Sequence, residues 1–130
     1  MKIERMAKLK TQIIPSVIAK NQKQFNQRLK KVINLSPITQ LDIMDGKFVK
    51  NKSLWFNFKL SKGKHYEAHL MVKDPASWIN SKNNIKQVSA VVFHIESIGY
   101  PDEIISLIKS KHKKVGIAIN PRTSINKIKP

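Results

Sequence analysis

The sequence predicts an α/β fold built on a parallel sheet, and three observations support this prediction. Segments typical of strands and helices alternate along the chain. Residues 88–95 form a nearly unbroken apolar run, which is typical of a parallel strand covered on both faces. Polar side chains also gather where several predicted strands end, and α/β folds collect their sites at that edge.

The first half of the chain is predicted to hold a helix and its flanking strands. The helix spans residues 21–34, because Asn21 can cap it and Phe25, Leu29 and Val32 form one apolar face. A loop with Asp45 and Gly46 is expected before an aromatic segment whose structure the pattern leaves open. The strands of this half are predicted at residues 12–18, 38–43 and 66–72.

The second half continues the alternation. Asp74 followed by Pro75 predicts a helix start, since a capping residue precedes a proline at the first helical position. A second helix starts at Pro101, followed by acidic residues that favour the positive end of the helix dipole. Thr123 is expected to cap a last helix that reaches Pro130. The strands of this half are predicted at residues 88–95 and 114–119.

The predicted connections are right-handed βαβ units within one domain that spans residues 1–130. Two architectures fit five such strands: a doubly wound sheet and part of an eight-stranded barrel. The periodicity alone does not separate them.

The charge of the chain is strongly positive, at +17, with 22 lysines and three arginines. Arginine is the side chain that binds phosphates and base edges in bidentate fashion, so its scarcity argues against specific nucleic-acid binding. The chain contains no cysteine, which excludes disulfides and thiolate metal sites. The first residues lack the apolar run of a signal peptide, and no stretch approaches the roughly 20 apolar residues of a membrane span. The sequence therefore predicts a soluble, cytoplasmic protein with no membrane partner.

Carboxylate and imidazole groups lie on one face of the predicted strands. Gln40 and Asp42 share a face of the second strand, and Glu67 and His69 share a face of the third. Such groups are costly in a buried sheet unless they are paired or bind a metal. The spacing therefore indicates a metal site or an acid/base site. His94, near the end of the fourth strand, is interpreted as a core histidine with satisfied hydrogen bonds.

Five segments of the chain resemble the ribulose-phosphate 3-epimerase family, in the order and at about the spacing of that family. They are residues 14–18 (IPSVI), 41–49 (LDIMDGKFV), 68–72 (AHLMV), 93–96 (FHIE) and 116–121 (GIAINP). The resemblance implies a parallel (β/α) barrel of the TIM type, incomplete here with about five βα units. It also implies interconversion of ribulose 5-phosphate and xylulose 5-phosphate, with a sugar phosphate as the partner.

The resemblance further implies how the residues share this chemistry. A carboxylate removes the proton beside the ketone, a divalent metal stabilises the enediolate, and a second carboxylate returns a proton to the opposite face. Asp42 would be the first acid/base and a metal ligand, and His69 a metal ligand near the substrate. Ser16 would bind the substrate, and Met44 and Met71 would wall the enediolate. Zinc is the expected metal, with manganese or iron(II) as alternatives.

Two departures from the family pattern shape the expectation. Gln40 stands where the family has a metal-binding histidine, and an amide oxygen is a poorer zinc ligand than imidazole. The family's second aspartate and its phosphate-binding loop come from later strands than the five predicted here. The expectation is therefore a truncated gene or a half-barrel completed by another chain, which includes a homo-oligomer. The alternatives are a catalytically inactive fragment that serves binding or assembly, and another sugar-phosphate barrel enzyme.

Overall fold

A parallel sheet with its strands in chain order organises the molecule. The structure, a computed structural model, describes residues 11–81 and 84–129. The first ten residues, where no signal peptide is predicted, lie outside that range, as does Pro130. The strands are β1 (Ser16–Val17), β2 (Ile38–Asp45), β3 (Lys52–Ser53), β4 (His65–Met71), β5 (Ala90–His94) and β6 (Lys114–Ala118). The helices are α1 (Gln22–Val32), α2 (Pro75–Ile79) and α3 (Pro101–Ser110).

The strand order separates the two predicted architectures. The sheet runs β1-β2-β4-β5-β6 with every pair parallel, while the short β3 pairs antiparallel with β2. A doubly wound sheet reverses its strand order at a switch point, whereas a (β/α) barrel keeps the order of the chain. The described strands keep it, so the prediction of a TIM-type parallel α/β fold is confirmed.

The hydrophobic core lies on one face of the sheet. Along β2 and β4 buried residues alternate with half-exposed ones. Leu41, Ile43 and Leu70 are fully buried on the covered face, where they belong to one cluster with Phe25 of α1 and Ile108 of α3. The opposite face of these strands is only partly covered, and it carries the polar side chains.

Capping residues define the helix starts largely as predicted. The side chain of Asn21 accepts a hydrogen bond from the Gln24 backbone N–H at 2.8 Å, and Asp74 accepts one from Ser77 at 3.1 Å. The prediction that Thr123 caps a helix is wrong, because Ser124 accepts the bond from Asn126 and caps a single 3₁₀ turn, Ile125–Lys127. Within the described residues, no helix is long and apolar enough to cross a membrane.

Several strand boundaries differ from the predictions. The first strand contains only Ser16–Val17, because residues 12–14 are exposed and make no ladder with β2. β2 extends past Ile43 to Asp45, where the unpredicted β3 pairs with its last two residues. The extension matters for the site, since it keeps Met44 and Asp45 in regular strand geometry.

Candidate active site

The candidate site lies on the partly covered face of the sheet, across β1, β2, β4 and β5. Register places Ser16 beside Gln40, and Asp42 beside His69. His94 is the last residue of β5, two residues nearer the carboxyl edge than Val92, the residue paired with His69. The structure therefore brings together side chains that are up to 78 positions apart in the sequence.

Asp42 is the centre of this cluster. Its Oδ1 accepts a hydrogen bond from Gln40 Nε2 at 2.9 Å and lies 3.2 Å from His69 Nδ1. The Ser16 hydroxyl also hydrogen-bonds to this carboxylate. Burial would raise the pKa of Asp42, but the hydrogen bonds from His69, Gln40 and Ser16 and the nearby imidazole lower it below the usual value. Asp42 is thus ionised at neutral pH, and its side chain remains 14% exposed.

Gln40 bridges Asp42 and His69. Its Nε2 lies 2.9 Å from Asp42 Oδ1 and 3.4 Å from His69 Nδ1. One amide group has two N–H donors, so a single side chain can face both atoms. As oriented here, the amide lies between the two side chains as a hydrogen-bond donor.

The methionines flank the cluster. Met44 and Met71 are register partners on β2 and β4, each two residues beyond Asp42 and His69 and on the same half-buried face. Glu67, on this face too, lies in register with Gln40 at the opposite side of the cluster. The carboxyl edge of the site is therefore thioether-rich, and the amino edge is polar.

A second layer behind His69 was missed by the sequence analysis. His69 Nε2 lies 2.8 Å from His94 Nε2, and the two rings stack with centroids 5.0 Å apart. His94 Nδ1 in turn lies 3.6 Å from Glu96 Oε2, and neither of these two buried atoms has a hydrogen-bond partner among the described residues. His94 is thus a buried histidine, as interpreted from the sequence, but only its Nε2 has a hydrogen-bond partner among the described residues. The two-residue spacing of His94 and Glu96 at a strand end was the available signal.

Glu96 is held from its other side by the segment after β6. Its Oε1 accepts hydrogen bonds from the Asn120 backbone N–H and from the Thr123 hydroxyl, the latter at 2.8 Å. Burial would raise the pKa of Glu96, but these hydrogen bonds lower it, so the carboxylate is charged at neutral pH. Burial and the nearby His69 lower the pKa of His94, against the opposing influence of Glu96, so its ring is neutral there.

Asp45 has a structural part at the edge of the site. Its Oδ1 accepts hydrogen bonds from the backbone N–H groups of Lys47 and Phe48, and its Oδ2 accepts one from Lys73, all at 2.8 Å. Burial would raise the pKa of Asp45, but these three bonds lower it. The carboxylate thus joins the carboxyl end of β2 to the residues that follow β4, as expected for a turn-stabilising aspartate.

The donor atoms around Asp42 fit a divalent cation. Two ligand atoms bound to one cation at about 2.1 Å lie about 3.0 to 3.4 Å apart at octahedral or tetrahedral angles. The separations among Asp42 Oδ1, His69 Nδ1 and the Gln40 amide nitrogen are 2.9, 3.2 and 3.4 Å. A rotated amide would present its oxygen at the same place. Among the described residues, no group of three or more His, Cys, Asp or Glu side chains could hold a metal, and the further side chain within reach of both Asp42 and His69 is that of Gln40.

Comparison with known proteins identifies the relatives of the chain. The family model described as the ribulose-phosphate 3 epimerase family matches residues 12–130. A ribulose-phosphate 3-epimerase of Methanocaldococcus jannaschii is 33% identical over 96 residues, which cover 68% of this chain and 38% of that protein. The cytoplasmic isoform of Oryza sativa subsp. japonica is 34% identical over 95 residues, 69% of this chain and 41% of that protein.

Longer matches agree with these two. The Schizosaccharomyces pombe ribulose-phosphate 3-epimerase is 27% identical over 130 residues, which cover 94% of this chain and 57% of that protein. The chain thus spans about half the length of the curated relatives it matches.

Proposed function

The chain belongs to the ribulose-phosphate 3-epimerase family, and from this premise we propose that it takes part in the metal-assisted epimerisation of ribulose 5-phosphate and xylulose 5-phosphate. The reaction inverts the carbon beside the ketone by removing its proton and returning a proton to the opposite face. The proposal assigns the first of these proton transfers to this chain, and the ligand is a small sugar phosphate.

The observation that carries the proposal is that Asp42 is ionised and partly exposed. A general base has to be ionised, near the surface and directed at the substrate. Asp42 has a lowered pKa, three side-chain hydrogen-bonding neighbours and a partly exposed carboxylate on the open face of the sheet. We assign it the role of the base that removes the proton beside the ketone.

The neighbours of Asp42 have supporting roles in this proposal. Ser16 orients the carboxylate and is close enough to contact a substrate hydroxyl. His69 lies between Asp42 and the second layer, where its ring can bind a cation or the substrate oxygen. Met44 and Met71 provide an apolar wall beyond the acid, which keeps water from the carbon that loses its proton.

Asp42, His69 and Gln40 would hold the divalent metal, for which zinc is the first candidate and manganese or iron(II) are alternatives. Such a cation, when bound, supplies positive charge that stabilises the oxygen of the ketone as the neighbouring proton leaves. An amide oxygen from Gln40 is a harder and weaker ligand than imidazole, so this set favours manganese or iron(II) more than a histidine would.

The location and assembly of the protein are further proposals. A cytoplasmic location follows the rice relative, which is named a cytoplasmic isoform. Association with a second copy stays a prediction, which sedimentation of the purified chain over a range of concentrations would test.

The decisive experiment is an epimerase assay of the chain and of its Asp42→Asn variant. The substrate is ribulose 5-phosphate with added zinc, manganese or iron(II). Any metal-dependent turnover should fall by at least about 1,000-fold in Asp42→Asn, because the amide cannot accept the proton. Asp102→Asn, which removes an equal charge from the exposed first turn of α3, is the matched control and should keep wild-type turnover.

Two results would count against the proposal. Near-normal turnover of Asp42→Asn would remove Asp42 from the role of base. Absence of turnover with every metal, in a folded chain, would favour the alternative of an inactive barrel segment that serves binding or assembly.

A further inference from the structure

The lysines of the chain are distributed unevenly around the sheet. Neighbouring parallel strands begin at the same edge, so the segments that lead into β4, β5 and β6 lie side by side. Residues 61–64, 84–89 and 109–114 form this amino edge, and their lysines are exposed apart from Lys113, which is half-exposed. We call these seven side chains the lysine edge: Lys62, Lys64, Lys86, Lys109, Lys111, Lys113 and Lys114.

The acidic residues lie elsewhere. At the carboxyl edge of the sheet are Asp45, Asp74, Glu96, Asp102 and Glu103. The other two acids that the structure describes, Asp42 and Glu67, are strand residues on the partly covered face. Both ion pairs between described residues involve a histidine, so within this part of the chain no carboxylate is paired with the lysine edge.

Helix stability accounts for only part of this positive charge. Cations are favoured near the carboxyl end of a helix, which explains Lys109 in the last turn of α3 and Lys111 just beyond it. The remaining five lysines lie in turns or at the start of β6, where no such end is available. Like charges gathered on one edge repel each other, so a bound polyanion would relieve a cost already present in the free chain.

Three of these lysines surround a hollow between α2 and the start of β6. Lys86, Lys111 and Lys113 line it together with Asn80 and Ser81, and its volume is about 280 Å³. Lys113 Nζ lies 3.4 Å from the carbonyl oxygen of Lys86, so the segments that lead into β5 and β6 are in contact here. The hollow is wide enough for a phosphate group, which would meet ammonium groups from both segments.

The other side chains of these segments narrow the class of ligand. The exposed large hydrophobic side chains of the described chain all lie outside residues 61–64, 84–89 and 109–114, whereas membrane surfaces and protein partners are bound through apolar or aromatic anchors. The three segments contain no Phe, Tyr or Trp on which the bases of a single strand could stack. They also contain no arginine for bidentate contacts with base edges. These features favour a ligand recognised by the negative charge along its length.

We propose that the lysine edge binds the phosphate backbone of double-stranded nucleic acid, independently of base sequence. Each ammonium group contacts phosphates as a point charge, and the counter-ions of the duplex are released. DNA and RNA duplexes share this chemistry. The lysine edge lies at the opposite edge of the sheet from Asp45 and Asp74, so this binding is independent of the reaction proposed above.

Fluorescence anisotropy of labelled duplexes measures the binding. The probes are DNA and RNA duplexes of about 20 base pairs, each in two unrelated sequences, at about 50 to 200 mM salt. We expect a Kd on the order of 10 μM at about 150 mM salt, similar for both sequences. In the triple variant Lys86→Gln/Lys111→Gln/Lys113→Gln the affinity should fall by at least about 30-fold at about 100 mM salt. The slope of log K against log salt should fall by about 2 to 3, because each phosphate contact contributes about 0.9.

A second triple variant, Lys23→Gln/Lys50→Gln/Lys73→Gln, is the matched control. It removes the same charge from exposed lysines outside the lysine edge. Its affinity should stay within about 3-fold of the wild type with an unchanged salt slope, because salt screens charges that are not in contact with the duplex.

Four results would overturn the inference. The first is an equal loss in the two triple variants, which would show that binding follows net charge and not the lysine edge. The second is a wild-type Kd above about 1 mM at about 150 mM salt. The third is a difference of more than about 10-fold between the two sequences. The fourth is tighter binding to phosphatidylserine vesicles that the first triple variant abolishes, which would assign the edge to a membrane surface.

A preference for DNA or for RNA supports the inference and identifies the source of the duplex. Circular dichroism checks that the first triple variant is folded. If it is not, Lys62→Gln/Lys64→Gln/Lys114→Gln removes three other exposed lysines of the same edge and should show the same loss. Unchanged binding in that variant would equally overturn the proposal.

Discussion

The carboxylate of Asp45 is the polar side chain whose loss should destabilise the fold most clearly. It is 6% exposed and accepts three backbone hydrogen bonds, from Lys47, Phe48 and Lys73. In Asp45→Asn the amide oxygen keeps the first two bonds, but the NH₂ group meets the N–H of Lys73, so two donors face each other. A hydrogen bond to a charged group contributes about 1.5 to 3 kcal/mol, and a buried donor left unpaired costs a similar amount. We expect the free energy of unfolding to fall by about 2 to 3 kcal/mol.

Urea denaturation followed by circular dichroism measures this loss at neutral pH. Asp102→Asn removes the same charge from an exposed helix start and should change the free energy of unfolding by less than about 1 kcal/mol. A shift of the urea midpoint at constant slope would identify a change in stability rather than in the unfolded state.

The same carboxylate predicts a pH dependence with a definite sign. The pKa of Asp45 in the folded chain is below its usual value of 3.8, so the folded state releases this proton more readily than the unfolded state does. The stabilisation is therefore fully present above about pH 4 and is lost as the pH falls through the folded pKa. The difference between wild type and Asp45→Asn should narrow at acid pH. A difference below about 0.5 kcal/mol at neutral pH, or one that stays constant into strong acid, would refute the reasoning.

Three further predictions concern packing, backbone and charge. Leu41→Ala should lower the free energy of unfolding, measured by urea denaturation, by about 2 to 5 kcal/mol, because Leu41 is fully buried in β2. Ile13→Ala is the control and should have little effect, because the side chain of Ile13 is 79% exposed. Gly46→Ala should lower the free energy of unfolding by about 1 kcal/mol or more in the same assay, because Gly46 has a φ of +77° and a new Cβ would lie 3.0 Å from Lys52 Cγ. An unchanged urea midpoint would contradict this. Raising the salt concentration from low to physiological should raise the thermal midpoint, because screening relieves the self-repulsion of a chain of net charge +17; a fall would contradict it.

Several elements follow from short-range patterns and were predictable. The caps at Asn21 and Asp74 are local hydrogen bonds between residues three apart, so the sequence displays both partners. The helix start at Pro101 follows from the fixed φ of proline and its missing N–H. The same reasoning failed at Thr123, where the neighbouring Ser124 also had a suitable hydroxyl and local pattern did not discriminate between them.

The site was predictable in part, because strand periodicity alone places Gln40 with Asp42 and Glu67 with His69. Which side chains meet across strands depends on register, and register is set by the whole sheet. The pairing of Asp42 with His69 and the stacking of His69 on His94 therefore required the structure. The same holds for β3, a two-residue strand too short to leave a pattern.

The parallel α/β class, most helix and strand positions and, through five ordered motifs, the family could all be predicted from the amino-acid sequence. These depend on local hydrogen-bonding preferences and on hydrophobic periodicity, which any stretch of chain carries within itself. Three features came only from the tertiary structure: the strands keep chain order, Gln40 bridges Asp42 and His69, and Glu96 lies 3.6 Å from His94 behind them. Contacts between residues 24 to 29 positions apart depend on strand register and side-chain burial, and these exist only once the sheet has formed.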